Sequence, residues 1–113
     1  MNADRLVAGR RPRPLTAAEC AERLRRELEK YGVTAEVHAG FGLALVSVWA
    51  DLVVWTDGRW FRWRSGRISI NGRPVYAFAP ASDVVTAARR VAQRYGQLRQ
   101  QYPPPPWLAE GSS

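Results

Sequence analysis

Few side chains in this chain can carry out a reaction. His38 is its only histidine, Cys20 its only cysteine, and Asp51 and Asp57 bracket the stretch DLVVWTD. A histidine can act as general base or metal ligand, a thiolate as nucleophile, and two carboxylates as an acid and base pair, but each needs partners. One histidine with one cysteine is not a metal set, and no nucleophile motif accompanies His38 to make a triad. Asp57 belongs to an Asp-Gly turn, and Asp51 is expected to pair with Arg64 across two strands. The run GFGLAL at 40–45 has the glycines of a phosphate loop but joins two strands and leads into no helix. The expectation is a protein that is not an enzyme, with no catalytic residue, no metal and no cofactor.

What remains is binding chemistry. The run DGRWFRWRSGR, residues 57–67, sets Trp60, Phe61 and Trp63 among Arg59, Arg62, Arg64 and Arg67. Guanidinium groups attract phosphates and stack on rings, while tryptophans stack bases or anchor protein interfaces. The charge distribution matches. The net charge is +7, residues 58–80 carry five arginines and no acid, and residues 32–57 carry three acids and no base. Such a balance draws a protein to anionic partners. Lys30 is the only lysine, a skew to which the codons of a GC-rich genome contribute, so the net charge counts for more than the choice of arginine.

The elements that must position these residues follow from periodicity. With 113 residues the chain buries one modest core. Residues 15–102 read as a single domain, 1–14 as a flexible basic arm and 103–113 as a Pro-rich tail. Thr16 and Glu19 have capping-box spacing, and Leu15 and Cys20 that of a hydrophobic staple. Ala17, Cys20, Ala21, Leu24, Leu28 and Tyr31 then form a helical stripe that Gly32 ends, with Glu19 to Arg23 and Glu22 to Arg26 as surface pairs. Cys20 lies on that stripe, as a small core residue rather than a reactive thiol. A second helix starts at Ser82 or Asp83 and buries Val84, Ala88, Val91, Tyr95, Leu98 and Tyr102. Its other face carries Arg89, Arg90, Gln93, Gln97 and Gln100, with Arg94 and Arg99 on the flanks. Pro103 stops it, and PPPPW runs on as a stiff polyproline spacer carrying Trp107.

Between the helices lies a meander. Turns at Gly40-Phe41 and Asp57-Gly58 pair Val37 with Ala44 and Val54 with Phe61. Ala44, Val46, Val48, Ala50, Leu52 and Val54 share one side, which predicts one long central strand over 42–56 with a bend or bulge near Trp49 to Asp51. Phe61 and Trp63 face the core with Leu52 and Val54. Trp60, Arg62 and Arg64 face outward beside Trp55, Val53 and Asp51, with Trp55 and Trp60 as a cross-strand pair. An Asn71-Gly72 turn adds a last hairpin, whose Pro74 argues for an edge strand and which brings Arg67 and Tyr76 to the outer face. His38 falls on that face next to Leu43. The fold class is α+β: helix, antiparallel meander of three to five strands, helix, with both helices on one face of the sheet.

Two partners fit the outer face. In the first, Arg62, Arg64 and Arg67 attract phosphate while Trp55, Trp60 and Tyr76 stack the bases of a single-stranded nucleic acid, and Arg89 and Arg90 add non-specific contacts. In the second, Leu43, Leu45, Trp49, Val53 and Trp55 make the face a protein interface, with a homodimer as the simplest case. Stacking of a sugar ring lacks orienting carboxylates or amides. A sheet curled far enough to bury both faces would make the aromatics purely structural. The first 14 residues lack the apolar run of a signal peptide, no 18-residue apolar stretch exists, and a lone cysteine forms no internal disulfide. The expected location is cytoplasmic, with no membrane partner.

The segment VSVWADLVVWTDG, the Trp-rich strand after it and TAARRVAQRYGQLR together resemble small proteins of high-GC actinobacteria, over about residues 16–99. The resemblance implies the architecture and brings no activity and no site residues. The element order is also similar to that of double-stranded-RNA-binding domains. Those present a lysine-rich helix start to phosphate, where this chain has PASDVV.

Overall fold

The computed structural model describes residues 14–49 and 52–101. The expected basic arm, the Pro-rich tail with Trp107, Tyr102 and the Asp51 half of the Asp51–Arg64 pair lie outside the described residues. The elements are α1 (Ala17–Glu29), β1 (Glu36–Gly40), β2 (Leu43–Trp49), β3 (Leu52–Thr56), β4 (Trp60–Ile68), β5 (Pro74–Pro80) and α2 (Val84–Gln101). The strands form one antiparallel sheet in the order β1-β2-β3-β4-β5. Both helices pack on the same face of it, so the α+β architecture read from periodicity is the one that forms.

Helix α1 starts where its capping box predicts. The Glu19 N–H donates to Thr16 Oγ1 at 3.1 Å and the Thr16 N–H donates to Glu19 Oε1 at 2.9 Å. Ala17, Cys20, Ala21, Leu24 and Leu28 are buried. Tyr31, expected on the same stripe, is half exposed because the chain has left the helix by then. Gly32 takes φ +74°, and the Val33 N–H closes the end on the Leu28 carbonyl at 3.1 Å. The surface pairs also differ from the expected ones. Arg25 bonds Glu22 and, at 2.7 Å, Glu29, while Lys30 bonds Glu27 at 2.8 Å. Glu19 instead reaches back to its cap, and exposed pairs of this kind contribute little.

The expected long central strand is two strands. β2 and β3 pair antiparallel, with Trp49 opposite Leu52. A single strand of that span would run about 50 Å at 3.3 Å per residue, more than twice the roughly 20 Å that a helix of α1's length covers. Folding it back puts Ala44, Val46, Val48, Leu52 and Val54 under the helix, while Ala50 lies outside the described residues. The reversal sets an odd-numbered residue against an even one, yet the buried residues of both strands, Ala44, Val46, Val48, Leu52 and Val54, are even-numbered. A bulge between Ser47 and Trp49 absorbs the mismatch, and beyond it Val46 faces Val54 and Ala44 faces Thr56. The bulge turns two successive side chains, Val48 and Trp49, toward the helices.

The two flanking turns each sit one residue later than expected. Phe41 and Gly42, with φ of 55° and 78°, form the centre of the β1–β2 turn, so Val37 opposes Val46 rather than Ala44, and His38 opposes Leu45 rather than Leu43. At the β3–β4 turn Asp57 Oδ1 accepts the Arg59 N–H at 2.8 Å and the Trp60 N–H at 3.1 Å, while Gly58 takes φ +94°. Thr56 rather than Val54 therefore faces Phe61, and Trp55 faces Arg62 rather than Trp60. A turn moved by one residue moves its pairing by two, which leaves the pleat unchanged. Phe61 and Trp63 are accordingly buried with Leu52 and Val54, as the alternation predicts.

The last hairpin turns through Ile70, Asn71 and Gly72, with the Gly72 N–H on the Ser69 carbonyl at 2.9 Å and Gly72 at φ +80°. Pro74 opens β5, which is an edge strand. Asp83 starts α2 by accepting the Thr86 N–H at 3.2 Å, and bonding from Thr86 holds its carboxyl below the usual range. Val84, Ala87, Ala88, Val91 and Leu98 are buried along α2, and Tyr95 packs against the core.

Candidate nucleic-acid interface

The sheet face away from the helices carries a row of side chains that crosses all five strands. Through the registers, His38 opposes Leu45, Leu45 opposes Trp55, Trp55 opposes Arg62, and Arg62 opposes Phe78. In the adjoining rows Trp60 opposes Pro80 and Arg64 opposes Tyr76. Trp55 is 40% exposed, Trp60 51% and Phe78 52%. Rings of this size are normally well buried, so these three mark an uncovered face rather than the second side of a curled core.

Arg62 is the cationic centre of that face. Its guanidinium lies 5.1 Å from the Tyr76 ring and 6.0 Å from the Trp55 ring. Beside it an open groove of about 540 Å³ is lined by Leu43, Trp55, Asp57, Trp60, Arg62 and Phe78. The two backbone N–H groups donating to Asp57 pull its carboxyl below the ordinary range. The groove thus has ring walls, one fixed anion and one cation.

No known family model, curated protein or solved structure matches the chain.

The expected site residues divide by location. Trp55, Trp60, Arg62, Arg64 and Tyr76 come together on the outer face, although Trp55 and Trp60 are diagonal neighbours instead of a direct pair. Arg67 is exposed, but the alternation that assigns it to this face stops at Arg64, where the β4 register shifts. There Ser65 Oγ donates to the Val75 carbonyl at 2.8 Å and accepts the Arg67 N–H at 3.2 Å. Arg89 is exposed on α2, across the sheet from the groove. Arg90 is engaged elsewhere. Its Nη1 donates to the Phe78 carbonyl at 2.7 Å and its guanidinium lies 5.1 Å from the Trp63 ring, so it braces the free edge of β5 from the helix side. Trp49, expected outside, packs edge-on against Tyr95 of α2 at 6.0 Å, with Arg99 over its ring at 5.6 Å. The bulge at Val48 is the cause.

Sequence reasoning missed Phe78. The signal was present, since Phe78 follows Tyr76 by two residues on the same strand. Cys20 and His38 sit on different elements, α1 and β1. Cys20 is buried with its Sγ 3.7 Å from the Gly58 carbonyl, and burial pushes the thiol up. His38 is exposed, 3.9 Å from Glu36. Among the described residues no group of three or more His, Cys, Asp or Glu could hold a metal ion, and no helix is long and apolar enough to cross a membrane.

Proposed function

We propose that this protein is a non-enzymatic binding module that takes single-stranded nucleic acid across the outer sheet face, in the cytoplasm. The observation that carries the proposal is the Arg62 guanidinium set between Tyr76 and Trp55, with Trp60 and Phe78 open beside it. Aromatic rings stack unpaired bases whatever their sequence, and the flanking arginines track the phosphates. A duplex keeps its base faces stacked inside, so it offers this surface only its backbone. Fluorescence titration with single- and double-stranded oligonucleotides over a salt series tests the proposal. If Arg62 and Arg64 each neutralise one phosphate, log K should fall against log salt with a slope of about −1.4, at about 0.7 per contact for single strands. Binding that is absent at low salt, or indifferent to salt, would overturn it.

A second reading has its own support in the groove's apolar lining. Leu43, Trp55, Trp60 and Phe78 leave adjoining apolar surface of the kind that two copies bury against each other. In that case sedimentation at high concentration shows a dimer, and Trp60→Glu yields a folded monomer. A monomer throughout removes this reading.

A further inference from the structure

We infer that the groove is a base-specific subsite that takes guanine, with Asp57 reading its Watson–Crick edge; the inference rests on the nucleic-acid reading above. Rings alone do not tell bases apart, because every base has a π face. Specificity has to come from polar groups at the wall, and the charged side chains lining the groove are Asp57 and Arg62. Asp57 is held in place. Both of its backbone bonds, from the Arg59 and Trp60 N–H groups, fall on Oδ1. The carboxylate cannot swing away without breaking the turn, and Oδ2 has no hydrogen-bond partner among the described residues. The groove therefore presents a preset acceptor, an ionised carboxylate at neutral pH.

Base edges answer such an acceptor differently. Guanine offers two adjacent donors, N1–H and the N2 amino group, with no lone pair between them. Thymine and uracil set their one donor, N3–H, between two carbonyl oxygens that repel a carboxylate. On the same edge adenine and cytosine each place a single amino donor next to an unprotonated ring nitrogen, which repels a carboxylate lying across both positions. On the Watson–Crick edge guanine is the one common base that offers adjacent donors only, and Trp55, Trp60 and Phe78 supply rings beside Asp57 for its faces. The Asp57 charge also disfavours phosphate at its end of the groove. The backbone then lies toward Arg62 and Arg64, and the base points toward Asp57.

The test uses short oligo-dT strands carrying one central dG, deoxyinosine or dA, titrated against the full chain and against Asp57→Asn. The amide oxygen left by that substitution can still accept the two backbone N–H groups, so the turn is retained. The dG strand should bind about tenfold more tightly than all-dT, the scale of one hydrogen bond to a charged group. Deoxyinosine, which lacks the N2 amino group, should lose part of that advantage, and Asp57→Asn should abolish the preference. Equal affinity for every strand would overturn the guanine subsite and leave the nucleic-acid reading standing. No binding of any strand at low salt would overturn both. A dG preference that survives Asp57→Asn would also sink the assignment to Asp57. Should the variant fail to fold, the contrast between dG and deoxyinosine in the unaltered protein decides.

Discussion

Trp63→Ala should destabilise the protein by about 3–5 kcal/mol in a denaturant melt, the cost of emptying a large aromatic site in a packed core. Trp63 is 2% exposed, faces the helices from β4 and carries the Arg90 guanidinium over its ring. Truncation removes the ring and leaves that guanidinium without its platform. One residue earlier, Arg62→Ala should cost only about 0.5–1 kcal/mol, the range of cation–π contacts at exposed sites. The ordering of the two variants is the informative result. If Arg62→Ala proved the more damaging, β4 would be slipped by one residue and the groove would be core.

Trp60→Ala should show the opposite profile. Loss of one base-stacking ring costs about 1–3 kcal/mol of binding, or roughly 5- to 150-fold in Kd at 1.4 kcal/mol per tenfold. Trp60 is half exposed at the mouth of the groove, and its backbone N–H, which anchors the turn on Asp57, survives the substitution. Folding stability should therefore change by less than about 1 kcal/mol, while oligonucleotide titration reports the loss. Unchanged affinity would mean that the face is not a stacking platform.

The faces of the sheet are legible in the sequence and the pairings are not, for one physical reason. Burial selects alternate residues, and any change that shifts pairing by two preserves the alternation. Moving the Phe41-Gly42 or Gly58-Arg59 turn by one residue is such a change, so Phe61 and Trp63 stay inside under either register. The β2–β3 hairpin is hidden in the same way. Pairing Trp49 with Leu52 and adding a one-residue bulge keeps even-numbered residues facing in, so the apolar pattern of one long strand and of a bulged hairpin is the same. Only the cost of covering an overlong strand separates them. Trp49 escapes the pattern because the bulge acts at Val48, next to it. Arg90 escapes it because periodicity gives the direction of a Cβ and says nothing of how far a long side chain reaches around an edge. The capping box is fully legible, since it is a contact between residues three apart that depends on nothing distant.

The turn that carries Asp57 and Trp60 rests on the start of α1. A Cβ added at Gly58 would stand 3.1 Å from the Leu15 carbonyl oxygen and 3.4 Å from the Ala17 nitrogen, with Cys20 Sγ just beyond the Gly58 carbonyl. The groove opens on one side of the sheet, and its footing is the first turn of a helix on the other. Fraying of that helix end would loosen the floor under Gly58 and let the Asp57 carboxylate and the Trp60 ring drift together. The Thr16 cap, on the helix side of the sheet, thereby acts as a tension screw on the groove's shape, and a ligand that holds the groove closed would in turn protect the amides of α1's first turn from exchange.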